Sequence, residues 1–138
     1  GDRLVLYIPP GRDSAQRRTA LDRWYREQLR HVLPDVIATW EDKLGLSVPK
    51  WSIRRMKTKW GSCNRETRHI WFNTELAKKH PDCVEYIVVH EMTHYLERGH
   101  GERFTKLMDR ELPDWRSRRE RLNREPLAED TRGRKDEA

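Results

Sequence analysis

His90-Glu91-Met92-Thr93-His94, followed by His100, is the stretch that decides how this chain is read. Two histidines four apart on a helix leave from one face, their Cβ atoms about 5–6 Å apart. At that spacing two imidazoles can reach one zinc ion at about 2.0–2.1 Å. Glu91 is rotated off the ligand line, so its carboxylate lies beside the ion and within reach of a proton on zinc-bound water. Gly99 is expected to take the left-handed conformation that ends many helices, closing a helix over 82–96 and swinging His100 back to the metal. Three histidines leave a tetrahedral zinc one position short. Structural zinc sites are closed by four protein ligands, whereas hydrolytic sites keep a place for water.

The rest of that helix supports the reading. Val84, Val88, Val89, Met92, Tyr95 and Leu96 cover most of its circumference with apolar groups, so the helix is expected to be buried. Two histidines and a glutamate on a buried helix are costly unless paired or metal-bound. The competing reading is a core helix whose histidines bond to backbone or carboxylates. It suits a lone histidine better than this triple.

Working outward, residues 4–8 read as a short strand running into Pro9-Pro10-Gly11. Asp13 or Ser14 can cap a helix carrying Leu21, Trp24, Tyr25, Gln28, Val32 and Leu33. Pro34 is expected to kink or restart it; Val36, Ile37, Trp40 and Leu44 continue the stripe, and Gly45 ends it. Residues 51–56 and 69–73 read as two strands joined by a connector over 57–68. Asn73 caps a short helix stopped by Pro81. Helices over 102–112 and 114–123 follow. Residues 1–124 are expected to form one domain, and 125–138 a polar, disordered tail.

Composition limits the alternatives. The 138 residues suffice for one core. No long apolar run predicts a membrane span, and the first residues show no signal-peptide pattern. Two cysteines, Cys63 and Cys83, make no disulfide framework, which fits a reducing cytoplasm. The net charge of +6 is unevenly spread: residues 51–80 hold eight Lys/Arg against two Glu, while the metal segment is acidic. Such asymmetry can mark an anionic partner or a solvated edge.

Further motifs stand at fixed places around the histidines: Lys59-Trp60-Gly61-Ser62-Cys63, Ile70-Trp71-Phe72-Asn73 with Leu76, Tyr86-Ile87-Val88-Val89 before the triad, and His100-Gly101-Glu102-Arg103-Phe104. With Pro10-Gly11 and Trp24-Tyr25 they resemble the YgjP-like zinc metallopeptidases, relatives of the SprT-like and WLM proteases, over residues 4–122. The resemblance implies a compact α+β, zincin-like domain: a small antiparallel sheet packed with an active-site helix and flanking helices. It implies Zn2+ on His90, His94 and His100, with Glu91 as the catalytic carboxylate. The short interval to His100 departs from the SprT-like pattern and argues against a DNA-repair protease.

The chemistry expected is peptide-bond hydrolysis by a zinc-bound water that Glu91 deprotonates, with Glu91 returning the proton to the leaving amine. Glu97, Glu102 and Asp109 are candidates to orient a ligand imidazole. His69, Tyr86 and Tyr95 are candidate oxyanion donors, each with a structural reading beside it. An extended peptide or protein substrate can add to a sheet edge at 51–56 or 69–73. Arg54, Arg55, Lys57 and Lys59 would then favour acidic sequences, and Trp60, Gly61 and Ser62 would shape the cleft wall. Cys63 reads as a packing residue rather than a nucleophile. Two other classes remain in play. One is a nucleic-acid-associated module using the basic segment, its tryptophans and the arginines of 114–123. The other is a zinc-stabilised interaction domain without turnover.

Overall fold

The computed structural model describes residues 13–127. Elements run α1 (Ser14–Leu44), β1 (Lys50–Arg54), β2 (Gly61–Asn64), β3 (His69–Asn73), a 3-10 turn (Thr74–Lys78), α2 (Pro81–Thr93), α3 (Glu102–Glu111) and α4 (Trp115–Asn123). The expected strand over 4–8 lies outside the described residues. No described helix is long and apolar enough to cross a membrane.

α1 opens on a capping box, in which Asp13 accepts from the Gln16 backbone and Gln16 accepts from that of Asp13, and it closes on left-handed Gly45. It runs 31 residues with Pro34 inside it, so the helix continues there rather than restarting. Pro34 and Arg30, whose carbonyl loses its donor, are both exposed, so water can serve that group. The buried stripe is Leu29, Leu33, Ile37 and Trp40, while Val32 faces solvent.

The three strands are ordered β1-β3-β2. β2 and β3 form an antiparallel hairpin, but β1 pairs with β3 in parallel, so the sheet is mixed rather than all antiparallel. The cause is β2 itself. Gly61-Ser62-Cys63-Asn64 lacks the β-branched pattern of a strand, so its sequence alone reads as connector. Once it pairs, the chain leaving β1 must cross β3 and return. Central β3 then buries Ile70 and Phe72 against the helices.

α2 is the spine of the molecule. Pro81 stands at its first position, as helix starts favour. Residues 83–84 and 86–93 are all buried. Glu85, only half-buried, ties three helices: its carboxylate accepts from Trp40 Nε1 of α1 at 2.8 Å and from Arg118 of α4 at 2.6 Å. At the C-terminal end Leu127 is buried in the core, and the Glu125 carbonyl accepts from Lys79 at 2.8 Å. The packed chain therefore continues past residue 124. The remainder of the tail, 128–138, lies outside the described residues.

Candidate metal centre

α2 ends at Thr93, earlier than expected, because the chain tightens into a turn. Leu96 N–H donates to Thr93 O at 2.9 Å and Tyr95 N–H to Met92 O at 3.0 Å. Gly99 is not left-handed; among the described glycines only Gly45 has a positive φ. Leu96 is exposed and Tyr95 half-buried, so the buried face stops with the helix. Even so, the turn returns His100 to His90 and His94.

The three Nε2 atoms converge: His90 to His94 is 3.2 Å, His90 to His100 3.1 Å and His94 to His100 3.0 Å. His94 Nδ1–H donates to the Glu97 carbonyl at 3.0 Å, which leaves the Nε2 lone pair facing the other rings. Nitrogens held at about 2.0–2.1 Å from one tetrahedral ion would stand roughly 3.3 Å apart, so the triangle fits a zinc-sized cation. Among the described residues it is the one cluster of three or more potential metal ligands. Burial, with the neighbouring imidazoles adding to it, holds the His90 pKa well below the ordinary value. Burial also lowers that of His94. Both rings are thus biased to the neutral form that binds metal.

One aromatic ring organises all three imidazoles. Phe104, buried one turn into α3, stacks on His94 at 4.7 Å and meets His90 and His100 edge-on at 4.9 and 5.1 Å. Sequence reading places Phe104 only on the apolar side of its helix. No helical spacing links it to the triad, because His100 precedes α3, so local periodicity carries no signal for this contact.

Glu91 is 3% exposed and packs against β2. A Cβ at Gly61 would stand 2.9 Å from Glu91 Oε2 and 2.9 Å from Ile87 Cγ2, so only glycine lets the strand approach this closely. Gly61, Ser62, Cys63 and Asn64 line a cleft of about 470 Å3 with His90, Glu91, His94 and His100. Lys59, Arg65, Glu66 and Arg98 stand around it. The Cys63 thiol is pushed up to about 12 by burial, with the Glu91 charge adding to it, so it stays protonated.

Other expected site residues lie elsewhere. Trp60 does not line the cleft: its ring is 1% exposed and donates to Asn123 Oδ1 at 3.2 Å. Arg55 is drawn to Asp22 at 3.3 Å and Glu75 at 3.7 Å. Lys57 lines an adjoining cavity. Of the second-layer candidates, Glu97 acts through its carbonyl while its carboxylate pairs with Arg103; Glu102 pairs with Lys106, and Asp109 holds Trp115 and Arg116. Tyr95 is bonded to the Arg68 carbonyl and His69 to Ser52, so neither faces the cleft, and Tyr86 is wholly buried. Edge strand β2, not β1 or central β3, runs beside the histidines. The arginines of α4 and its cap have partners: Arg118, largely buried, with Glu85 and Asp114, Arg119 over Trp115, and the exposed Arg116, Arg121 and Arg124 with Asp109, Asp82 and Glu120.

An α+β domain with a histidine triad at the end of a buried helix has the architecture of metallopeptidases. The chain belongs to the YgjP-like metallopeptidase family, whose domain model matches residues 1–125. Its fold is similar to that of the metallopeptidase zymogen abylysin from Pyrococcus abyssi, with a TM-score of 0.57 and 21% identity over 66% of this chain and 89% of that one. It is also similar to the zymogen jannalysin from Methanocaldococcus jannaschii, with a TM-score of 0.51 and 20% identity over 57% and 80% of the two chains. Comparison with curated proteins finds no significant match.

Proposed function

We propose that this protein is a zinc-dependent peptidase that uses Glu91 as general base on a peptide laid along β2. The carrying observation is the convergence of three imidazole nitrogens beside a buried glutamate in an open cleft. His90, His94 and His100 would hold the Zn2+. That ion would supply an acidified water and polarise the scissile carbonyl. Glu91 takes the proton of the attacking water and passes it to the leaving amine. Gly61 keeps the strand against the Glu91 carboxylate. β2 has one neighbour in the sheet, β3, and its other edge offers main-chain donors and acceptors to an extended substrate. Ser62 lies on that edge beside the cleft. Two unpaired cysteines suit a cytoplasmic setting.

Glu91→Gln tests the assignment. The variant should bind zinc in the wild-type ratio and lose at least about a hundredfold in kcat on an unfolded protein substrate, as loss of a general base does. Full activity at full zinc occupancy would remove Glu91 from the chemistry.

A further inference from the structure

The cleft has an annex. Lys59 and Ser62, which line it, also border a second cavity of about 420 Å3 whose remaining walls include Arg54, Arg55, Lys57 and Thr58. Its four cations are not equally available. Arg54 lies 4.2 Å over the Trp71 ring, and Arg55 is shared between Asp22 and Glu75. Lys57 and Lys59 are exposed, and among the described residues no ion-pair partner engages either amine.

The backbone bearing them is pinned on either side of Lys57 by one side chain. Asn73 is fully buried, and its Nδ2 donates to Met56 O at 2.8 Å and Lys59 O at 2.7 Å. Its backbone N–H donates to Trp60 O at 3.0 Å. A loop with free lysines on a frame fixed by a satisfied buried amide is preorganised, so a ligand meets the cations without first ordering the backbone.

We propose that this annex is a cationic subsite of the same cleft, taking an acidic side chain of a peptide extended along β2. The inference rests on the peptidase reading above. A peptide paired with β2 advances about 3.3 Å per residue. Lys59 precedes Gly61, against which Glu91 packs, so the selected Asp or Glu lies about two to three residues from the scissile bond. The cleft is also lined by Arg65 and Arg98, but Glu66 lines it too and offsets part of their charge.

The test uses the full-length, zinc-loaded Glu91→Gln protein and two short fluorescent peptides that differ only in Glu or Gln at those positions. An exposed lysine–carboxylate pair is worth roughly one-and-a-half- to fivefold, so with two lysines the Glu peptide should bind about two- to twenty-fivefold tighter by anisotropy at low salt. The ratio should shrink toward one at about 0.5 M salt. In this background Lys57→Gln/Lys59→Gln should bring the ratio to one, while Lys106→Gln, elsewhere on the surface, should leave it intact. A ratio near one before mutation, or one that survives the double substitution, overturns the subsite. So does a single-stranded oligonucleotide that displaces both peptides at lower concentration than the Glu peptide does, which would mark a phosphate site. Binding needs no turnover, so a wild-type protein that cleaves nothing would sink the peptidase reading while this readout stands.

Discussion

Adding one methyl group at Gly61 should damage the catalytic arrangement without touching a metal ligand. In Gly61→Ala the new Cβ would stand 2.9 Å from Glu91 Oε2, 2.9 Å from Ile87 Cγ2 and 3.0 Å from Glu91 Cγ, where ordinary contact begins at 3.4 Å. Strand and helix must therefore part by about 0.5 Å. Ile87 is fully buried within α2 and cannot move aside alone. Overpacking of this kind costs about 1–3 kcal/mol. At roughly 4 °C per kcal/mol for a domain of this size, Tm should fall by about 4–12 °C. A 1 Å misplacement can cost about a hundredfold in rate, so a carboxylate displaced by half that should lose about tenfold in kcat/KM. Zinc content should hold, because the three histidines lie outside the clash. Calorimetry, metal analysis and hydrolysis of an unfolded substrate read the three quantities separately. A variant within about 1 °C and twofold of wild type would show that β2 does not set the position of Glu91, and the account of Gly61 would be wrong.

Phe104→Ala should cost about 3–5 kcal/mol through the cavity it leaves. Phe104→Leu should restore much of that stability yet still bind zinc about tenfold more weakly in chelator competition, because a branched aliphatic group cannot stack on an imidazole. Equal zinc affinity in Phe104→Leu would reduce the ring to filler. The pH prediction concerns Cys63, whose thiol is pushed up to about 12. At pH 8 its thiolate is about one part in ten thousand, so alkylation in the native protein should run at least about a hundredfold slower than in a free cysteine peptide. The sign for stability follows: above about pH 9 the unfolded chain releases this proton while the native chain keeps it, so this group's contribution declines as pH rises. Rapid native labelling at pH 8 would contradict the burial of the thiol.

Much of the site was legible because it is written in local periodicity. The i, i+4 spacing places His90 and His94 together whatever the tertiary fold. The caps at Asp13, Gly45 and Asn73 are equally local and fall where expected. What escaped is non-local or non-polar. β2 lacks strand composition and exists because β3 and α2 accept it. Glu97 orients His94 with a carbonyl that any residue would have supplied, so no side-chain pattern announces it. Trp60 stands beside a cleft residue in sequence, yet alternation along an extended segment sends neighbouring side chains to opposite faces. Gly61 turns to Glu91, and the Trp60 indole turns to Asn123. The basic segment was visible as a count, but only geometry separates the engaged Arg54 and Arg55 from the available Lys57 and Lys59.

The three proposed ligands differ in how they are supported, and this bears on what a metal there would be for. His90 lies within the buried run of α2, and His94 directly follows its last turn. His100 is exposed on the loop that leads into α3. That loop is tethered at both ends by features needing no ion: the tight turn after Thr93, and Phe104 buried just inside α3. The hydrophobic core draws on every helix and on the sheet, with Trp40, Phe72, Tyr86, Met108 and Leu122 almost wholly buried. Small domains that depend on a structural metal lack such a core and fold only when the ion binds. Here the core would persist without one, and the metal ligands gather at its edge, where the cleft opens to solvent. A site placed that way contributes little to folding that apolar burial has not already supplied. Its cost, three imidazoles and a glutamate held together at the end of a buried helix, would be explained by the reaction proposed for them.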